Sequence, residues 1–185
     1  MKLLIALMSF SGLMLVGCSD PQQPSSLAAA GEPAAATGAP LASESDRALA
    51  ASPSWLQGAQ ESDRLACYVD VVEGAKRTAA GWDLAAKSAR LSGWSVDSRN
   101  QQQPPALLVL QGEQGQFVFK AVRSQRDDVT NAEQFKALAP VLPGVAVSLF
   151  LDGVPAGAYR ASLVVGEGES AERCDLGASN QLLVH

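Results

Sequence analysis

The chain has 185 residues, of which 14 are basic, 19 are acidic and one is histidine, so its formal net charge is −5. An acidic balance offers no electrostatic footprint for a nucleic acid, and we expect no nucleic-acid partner. The single histidine is the last residue, His185, which excludes a histidine-rich zinc site and leaves any Ser-His or Cys-His catalytic pair dependent on a chain end.

The first eighteen residues have the features of an export signal. Lys2 supplies a positive end, and the apolar stretch from Leu3 to Val16 is too short to span a bilayer, which needs about 20 residues. It ends in Leu15-Val16-Gly17-Cys18, which resembles the lipobox of bacterial lipoproteins. The resemblance implies that residues 1–17 are a signal peptide that is removed. It also implies that the Cys18 thiol receives a diacylglycerol and its freed amine a further acyl chain such as palmitate.

This lipid anchor implies a membrane partner and a location. Several acyl chains hold a protein to a membrane stably, whereas one is marginal, so we expect a domain anchored in the cell envelope and facing the periplasm. In this family an Asp directly after the cysteine favours the inner membrane. Ser19 occupies that position, which favours the outer membrane. The alternative is a plain secreted protein in which Cys18 is one more cysteine.

Residues 18–60 differ in composition from residues 61–185. Prolines interrupt runs of Ala, Ser, Gly and Gln, and large apolar residues are scarce before Trp55. Such a segment cannot bury enough surface to offset chain entropy. We therefore predict a disordered tether over residues 18–60 and a folded domain over residues 61–185. Trp55-Leu56 is either a docking element where the tether meets the domain or a solvent-exposed pair.

The apolar pattern of the domain favours strands. In the first of them, Cys67, Val69 and Val71 alternate with Tyr68 and Asp70. Seven or so short strands separated by turn residues predict a mainly β domain, a single Ig-like β-sandwich, with a mixed α+β domain as the alternative. The predicted strands are Leu65–Val72, Ala106–Leu110, Gln116–Val122, Val145–Leu151, Tyr159–Val165, Ala171–Cys174 and Leu182–Val184.

Helix is scarce in the pattern. Asn131 is a candidate N-cap for one short helix through Leu138, with Gln134 as the reciprocal partner. The stretch Asp83–Arg90 is ambiguous, since its residues favour a helix but glycine flanks it.

Cys67 and Cys174 are the remaining cysteines, an even pair in an oxidising compartment. We predict a disulfide between them that joins the two ends of the domain. The alternative is two free buried thiols.

Three short motifs are similar to those of small β-sandwich modules that are appended to bacterial cell-surface proteins and surface-polysaccharide enzymes. They are Leu91-Ser92-Gly93-Trp94-Ser95-Val96-Asp97, Arg123-Ser124-Gln125-Arg126-Asp127-Asp128-Val129 and Gly157-Ala158-Tyr159. The resemblance implies a sandwich fold and carries over no catalytic residue. The polar residues between Val72 and Leu91 depart from the pattern and leave the number of strands open.

The same motifs contain the candidate binding residues. We expect Trp94 to be a core anchor, and the alternative is a stacking platform for a sugar ring. We expect Arg123, Arg126, Asp127 and Asp128 to form a solvated or locally paired loop. The alternative is an arginine pair that recognises a carboxylate.

No residue pattern indicates catalysis or a metal. The acidic pairs Asp127-Asp128 and Glu167/Glu169 lack the ligand spacing of a calcium loop. We therefore expect a protein that is not an enzyme, with no cofactor beyond the covalent lipid on Cys18.

The leading hypothesis for function is a non-catalytic envelope lipoprotein that binds a periplasmic or surface protein or glycan. One alternative is an immunity or inhibitor lipoprotein that neutralises a cell-wall-targeting toxin, since an acidic domain can meet a basic enzyme. Another is an accessory component of a secretion or pilus assembly, in which an open strand edge pairs with a second subunit.

Overall fold

The computed structural model describes residues 46–185 of the chain. The signal peptide (residues 1–17), Cys18 and the rest of the expected tether up to residue 45 lie outside the described residues. Among residues 46–185, no helix is long and apolar enough to cross a membrane.

The described residues form a mainly β domain with two sheets, which confirms the fold class expected from the sequence. Residues 46–185 also contain short 3-10 helices at Ser54–Gly58, Gly168–Ser170 and Ala178–Asn180. Within residues 46–185 the strands are β1 (Gln60–Glu61), β2 (Leu65–Glu73), β3 (Lys76–Thr78), β4 (Gly81–Leu84), β5 (Ser88–Asp97), β6 (Ala106–Gly112), β7 (Gly115–Lys120), β8 (Val122–Ser124), β9 (Gly144–Phe150), β10 (Gly157–Val165), β11 (Glu172–Asp175) and β12 (Leu182–Val184).

The first sheet has the strand order β2-β5-β9-β8 and is antiparallel throughout. The second sheet is built around β10, which pairs with β6, β11 and β12. Strand β7 extends it beyond β6, while β4 and β3 extend it beyond β12. The short β1 joins β11 in parallel.

The main core lies between these two sheets. Alternate residues of each strand point inward, because successive side chains of a strand project to opposite faces. Leu91, Val147 and Leu149 of the first sheet are fully buried against the second. The partners contributed by the second sheet include Leu108, Leu110, Phe119, Tyr159 and Leu163.

The second sheet is also buried on its outer face. There Val109, Val118 and Val164 pack against the segment Asp46–Ala59, which we call the strap, and Leu56 of the strap is fully buried. The Arg173 guanidinium donates to the carbonyl oxygens of Leu56 and Ala59, each over 3.4 Å, and so joins the strap to β11. The folded domain therefore begins by Asp46, fifteen residues before residue 61, and Trp55-Leu56 docks on it.

The disulfide predicted from the sequence is present. Cys67 on β2 and Cys174 on β11 have Cα atoms 6.4 Å apart, so the bond ties the first sheet to the second.

The predicted helix is misplaced. The α-helix α1 spans Asp127–Thr130, so Asn131 follows the last turn and does not cap the first. The Asn131 side chain donates to the carbonyl oxygen of Asp127 over 2.8 Å, which stabilises the helix end. Residues up to Leu138 then form successive turns.

Two further differences concern strands. The ambiguous stretch Asp83–Arg90 contributes to β4 and to the start of β5. In β2 the register shifts between Val69 and Val71, so that Asp70 is the extra residue of a β-bulge. Val71, predicted to share a face with Cys67 and Val69, is therefore 39% exposed, and Val72 lies in the core instead.

Candidate binding site

Trp94 lies on the outer side of the first sheet. On β5, Leu91, Gly93 and Ser95 are buried, whereas the alternating Ser92 and Trp94 are only half-buried. The Trp94 side chain is thus not among the residues packed between the sheets, where a core anchor would lie.

Two other aromatic rings meet Trp94. Tyr68, its register partner on β2, stacks with the indole at a ring-centroid distance of 6.4 Å and an interplanar angle of 27°. Phe135, from the turns after α1, meets it edge-on at 5.5 Å and 71°. Tyr68 is 56% exposed, so the cluster is open to solvent at its β2 end.

A second row of side chains runs beside this cluster. The register aligns Val71, Ser92, Ala146 and Val122 across the four strands. Val71 and Val122 are exposed, the latter by 68%. We call the outer surface formed by Tyr68, Trp94, Phe135, Val71 and Val122 the aromatic face.

An ion cluster borders the aromatic face. Arg126 Nη1 donates to Asp70 Oδ2 over 2.6 Å, and its Nε and Nη2 donate to the two oxygens of Asp128 over 2.8 and 2.7 Å. We call Arg126, Asp70 and Asp128 the Arg126 triad. It links the bulge of β2 to the beginning of α1, so two distant segments meet here.

Gly144 makes room for the triad. It is the register partner of Trp94 on one side and Ser124 on the other. A Cβ at this position would overlap the Ser124 hydroxyl oxygen and lie 2.9 Å from Cγ of Arg126. The absent side chain therefore lets Arg126 lie across the sheet next to Trp94.

A second glycine shapes the bulge. Gly93 pairs with Val69, one residue before Asp70. A Cβ on Gly93 would overlap the carbonyl oxygen of Tyr68 and lie 3.2 Å from the Val69 Cα. Glycine thus allows β2 and β5 to approach closely where Tyr68 and Asp70 are presented.

The hydrogen bonds within the triad stabilise the charged forms of Arg126 and Asp128. The hydrogen bonds from Arg126 lower the pKa of Asp128 to about 2, and the bonds to Asp128 and Asp70 raise the pKa of Arg126. The group as a whole carries one negative charge, because two carboxylates share one guanidinium.

Arg123 does not join the triad. Its guanidinium donates to the carbonyl oxygen of Pro104 over 2.8 Å and to the hydroxyl of Ser95 over 2.9 Å, and Ser95 is fully buried. Burial lowers the pKa of Arg123 to about 10, and its buried Nη2 has no hydrogen-bond partner. The two arginines therefore point to different places, and they do not form a carboxylate-recognising pair.

The remaining predicted residue, Asp127, is the first residue of α1 and accepts a hydrogen bond from Gln125 Nε2 over 2.9 Å. Of the residues proposed from the sequence, the structure thus groups Trp94, Arg126 and Asp128.

The segment that carries Phe135 is held in an unusual conformation. Ala139 and Leu142 have φ angles of 46° and 55°, in the left-handed region that non-glycine residues rarely adopt. The Thr130 hydroxyl donates to the Pro140 carbonyl oxygen over 2.9 Å and closes the segment against α1. Strained backbone of this kind persists where the surroundings enforce it, and it is common at binding sites.

Sequence reasoning did not identify Tyr68, Asp70 or Phe135 as site residues. Tyr68 and Asp70 share one face of a predicted strand, and an aromatic residue beside an acidic one on that face was the available signal for a binding surface. The sequence pattern places Phe135 in a helix, and nothing in its neighbourhood points to a Trp 41 positions earlier. In residues 46–185, no group of three or more potential metal ligands comes together.

In comparisons with known proteins, no family model, no curated protein and no solved structure matches this chain.

Proposed function

We propose that this chain is a non-catalytic lipoprotein of the bacterial cell envelope and that its β-sandwich binds a glycan through the aromatic face. The anchoring part of the proposal is supported by the sequence Leu15-Val16-Gly17-Cys18 behind an apolar export signal. The binding part is supported above all by one observation, the open cluster of Tyr68, Trp94 and Phe135 with the Arg126 triad at its border.

The chemistry of this surface suits a sugar chain. A sugar ring has an apolar C–H face that packs on aromatic rings and a rim of hydroxyl groups. The triad offers those hydroxyls both kinds of partner. Its carboxylates accept further hydrogen bonds, and three of the five guanidinium N–H groups of Arg126 are used, which leaves two.

The exposed apolar area favours a chain ligand over a globular partner. Trp94 and Phe135 are half-buried, and Tyr68, Val71 and Val122 are the large apolar side chains that this face exposes. A stable protein interface buries about 800 Å² on each partner, whereas a strip of a few side chains matches the width of one extended polysaccharide.

The carboxylates fit binding and not glycoside hydrolysis. A glycosidase needs one carboxylic acid with a raised pKa to protonate the leaving group. Arg126 holds the pKa of Asp128 at about 2, so Asp128 is not arranged as a general acid, and Asp70 is bound to the same guanidinium. The apolar side chains of the strap pack on the second sheet, and its Arg47 bridges Phe150 at the end of β9 away from Trp94. Among residues 46–185 the strap therefore does not cover the aromatic face.

The binding proposal is tested with the processed chain carrying Cys18→Ser, which cannot be lipidated. Saturable binding to at least one envelope polysaccharide of the producing bacterium is expected in a panel of peptidoglycan, lipopolysaccharide and capsular chains. Because Trp94 provides the central stacking surface, Trp94→Ala should weaken binding at least about tenfold. Isothermal titration calorimetry gives the affinities.

The matched control is Trp55→Phe, which alters a half-buried tryptophan of the strap on the opposite sheet and should leave affinity unchanged. The proposal fails if no member of the panel binds, or if Trp94→Ala binds as tightly as the unaltered domain. Either result would direct the search to a protein partner.

The anchor is tested in the producing bacterium by labelling with a clickable palmitate analogue. The mature chain should carry the label and fractionate with membranes, with the outer membrane favoured, because Ser19 follows the cysteine. Cys18→Ser should abolish both the label and the membrane association. An unacylated amino terminus in the unaltered protein, seen by mass spectrometry, contradicts the anchor.

A further inference from the structure

We infer that the aromatic face selects uncharged glycans, such as N-acetylhexosamine or neutral hexose chains, and rejects polyanionic ones. This inference rests on the proposed function and names the ligand class of the same site. It depends on the hydrogen bonds that Arg126 makes at the border of the aromatic face.

Arg126 is the basic side chain that the structure brings against the Trp94 row, because its Cγ lies over Gly144. Polyanion recognition would need its positive charge to be free. Instead, Nη1 is bound to Asp70, and Nε and Nη2 are bound side by side to Asp128. This two-pronged geometry is the strong form of an arginine–carboxylate pair, so an anionic sugar would have to displace a carboxylate that is already in place.

The other charged residues near the triad do not change the sign of its net negative charge. Glu73 and Arg90 are register partners at the far end of β2 and β5, and they cancel each other. Glu133 and Lys136 flank Phe135 in the sequence and also cancel. Asp127 adds a further negative charge beside Asp128. Arg123 on β8 adds one positive charge, which offsets Asp127, so the surface that meets the ligand keeps the net negative charge of the triad.

A neutral sugar is not repelled by the negative charge of this surface, and it can use all of the polar groups of the triad. Its hydroxyls can donate to the outer lone pairs of Asp70 and Asp128. A hydroxyl or acetamido oxygen can accept from the two N–H groups that Arg126 has left. An acidic sugar keeps its ring hydroxyls, but its carboxylate cannot donate a hydrogen bond to Asp70 or Asp128 and adds like-charge repulsion.

The test compares two soluble hexasaccharides, chitohexaose as the neutral probe and oligogalacturonate as the anionic one, together with cellohexaose as a second neutral chain. We expect Trp94-dependent binding of a neutral chain and at least about fivefold weaker binding of the anionic chain at low salt. Added salt should narrow the difference, because it screens exposed charges.

The variant Asp128→Asn tests whether the charge of the triad excludes anionic chains. It leaves Arg126 with one carboxylate, so the triad becomes neutral, and the affinity for oligogalacturonate should rise severalfold while the affinity for the neutral chain falls or stays level. The control Asp152→Asn changes net charge by the same amount at the exposed Lys87–Asp152 pair in the turn after β9, and should alter neither affinity.

The possible failures can be told apart. If oligogalacturonate binds the unaltered domain as tightly as the neutral chains and Trp94→Ala weakens it, glycan binding stands and neutral selectivity is wrong. If Asp152→Asn raises anionic binding as much as Asp128→Asn does, the effect is general charge and not the triad. If neither class of chain binds in a Trp94-dependent manner, the inferred ligand class is wrong, and the panel of envelope polysaccharides decides separately whether glycan binding stands.

Discussion

Opening the Cys67–Cys174 disulfide is expected to lower the free energy of unfolding by about 3–5 kcal/mol. The bond closes a loop with a sequence separation of 107 residues, for which the chain-entropy model gives about 4.7 kcal/mol. It also joins β2 of the first sheet to β11 of the second, so its loss removes a covalent tie across the core. The measurement is urea unfolding of the double variant Cys67→Ser and Cys174→Ser beside the unaltered domain.

The control for this experiment is Cys18→Ser, which removes a cysteine that lies outside the loop. Its unfolding midpoint should match that of the unaltered domain when the disulfide is intact, and dithiothreitol should lower its midpoint to near that of the double variant. A loss of less than about 1 kcal/mol in the double variant would mean that the two sheets are held together without the bond.

Removal of the strap is expected to destabilise the domain by several kcal/mol and to make it aggregate. A chain that begins at Glu61 leaves Val109, Val118 and Val164 without their cover, and exposed apolar patches of this kind promote association. A chain that begins at Asp46 keeps the cover and should unfold cooperatively. Thermal unfolding and binding of an apolar dye distinguish the two chains.

A pair of point variants tests the same contact without shortening the chain. Leu56→Ala removes a fully buried side chain and should cost about 2–5 kcal/mol. Gln57→Ala, at the exposed neighbouring position of the same 3-10 turn, should cost less than about 0.5 kcal/mol. Equal midpoints for chains that begin at Asp46 and Glu61 would show that the strap packs without stabilising the fold.

The sequence pattern predicts that part of the second sheet is buried on both faces, but it does not predict that the strap covers it. The continuous apolar runs in β6 and at the end of β10 indicate strands that are buried on both faces. Such strands need a second layer, but nothing in their own residues says which part of the chain supplies it. The segment Asp46–Ala59 reads as a tether because it has few apolar side chains, and those few suffice to cover one side of a sheet.

Only part of the binding site could be predicted from the sequence, because its residues meet through contacts between distant segments. Trp94, Arg126 and Asp128 were candidates, because they lie in short motifs. Whether a strand residue faces the core or the solvent depends on the parity of its position, and the bulge at Asp70 changes that parity within β2. Phe135 reaches Trp94 only because the segment after α1 folds back over the first sheet.

The sequence by itself determined the β class, seven of the strands and the disulfide pair. The export signal and the lipid on Cys18 stay predictions from it. These depend on local order, since period-two apolar patterns, turn residues and an even pair of cysteines act over short windows. Tertiary structure decided that the outer face of the first sheet stays open, that the strap covers the outer face of the second, and that Arg126, paired with Asp128, also binds Asp70 from a distant strand. Those outcomes depend on contacts between residues far apart in the chain, and no local pattern specifies such contacts.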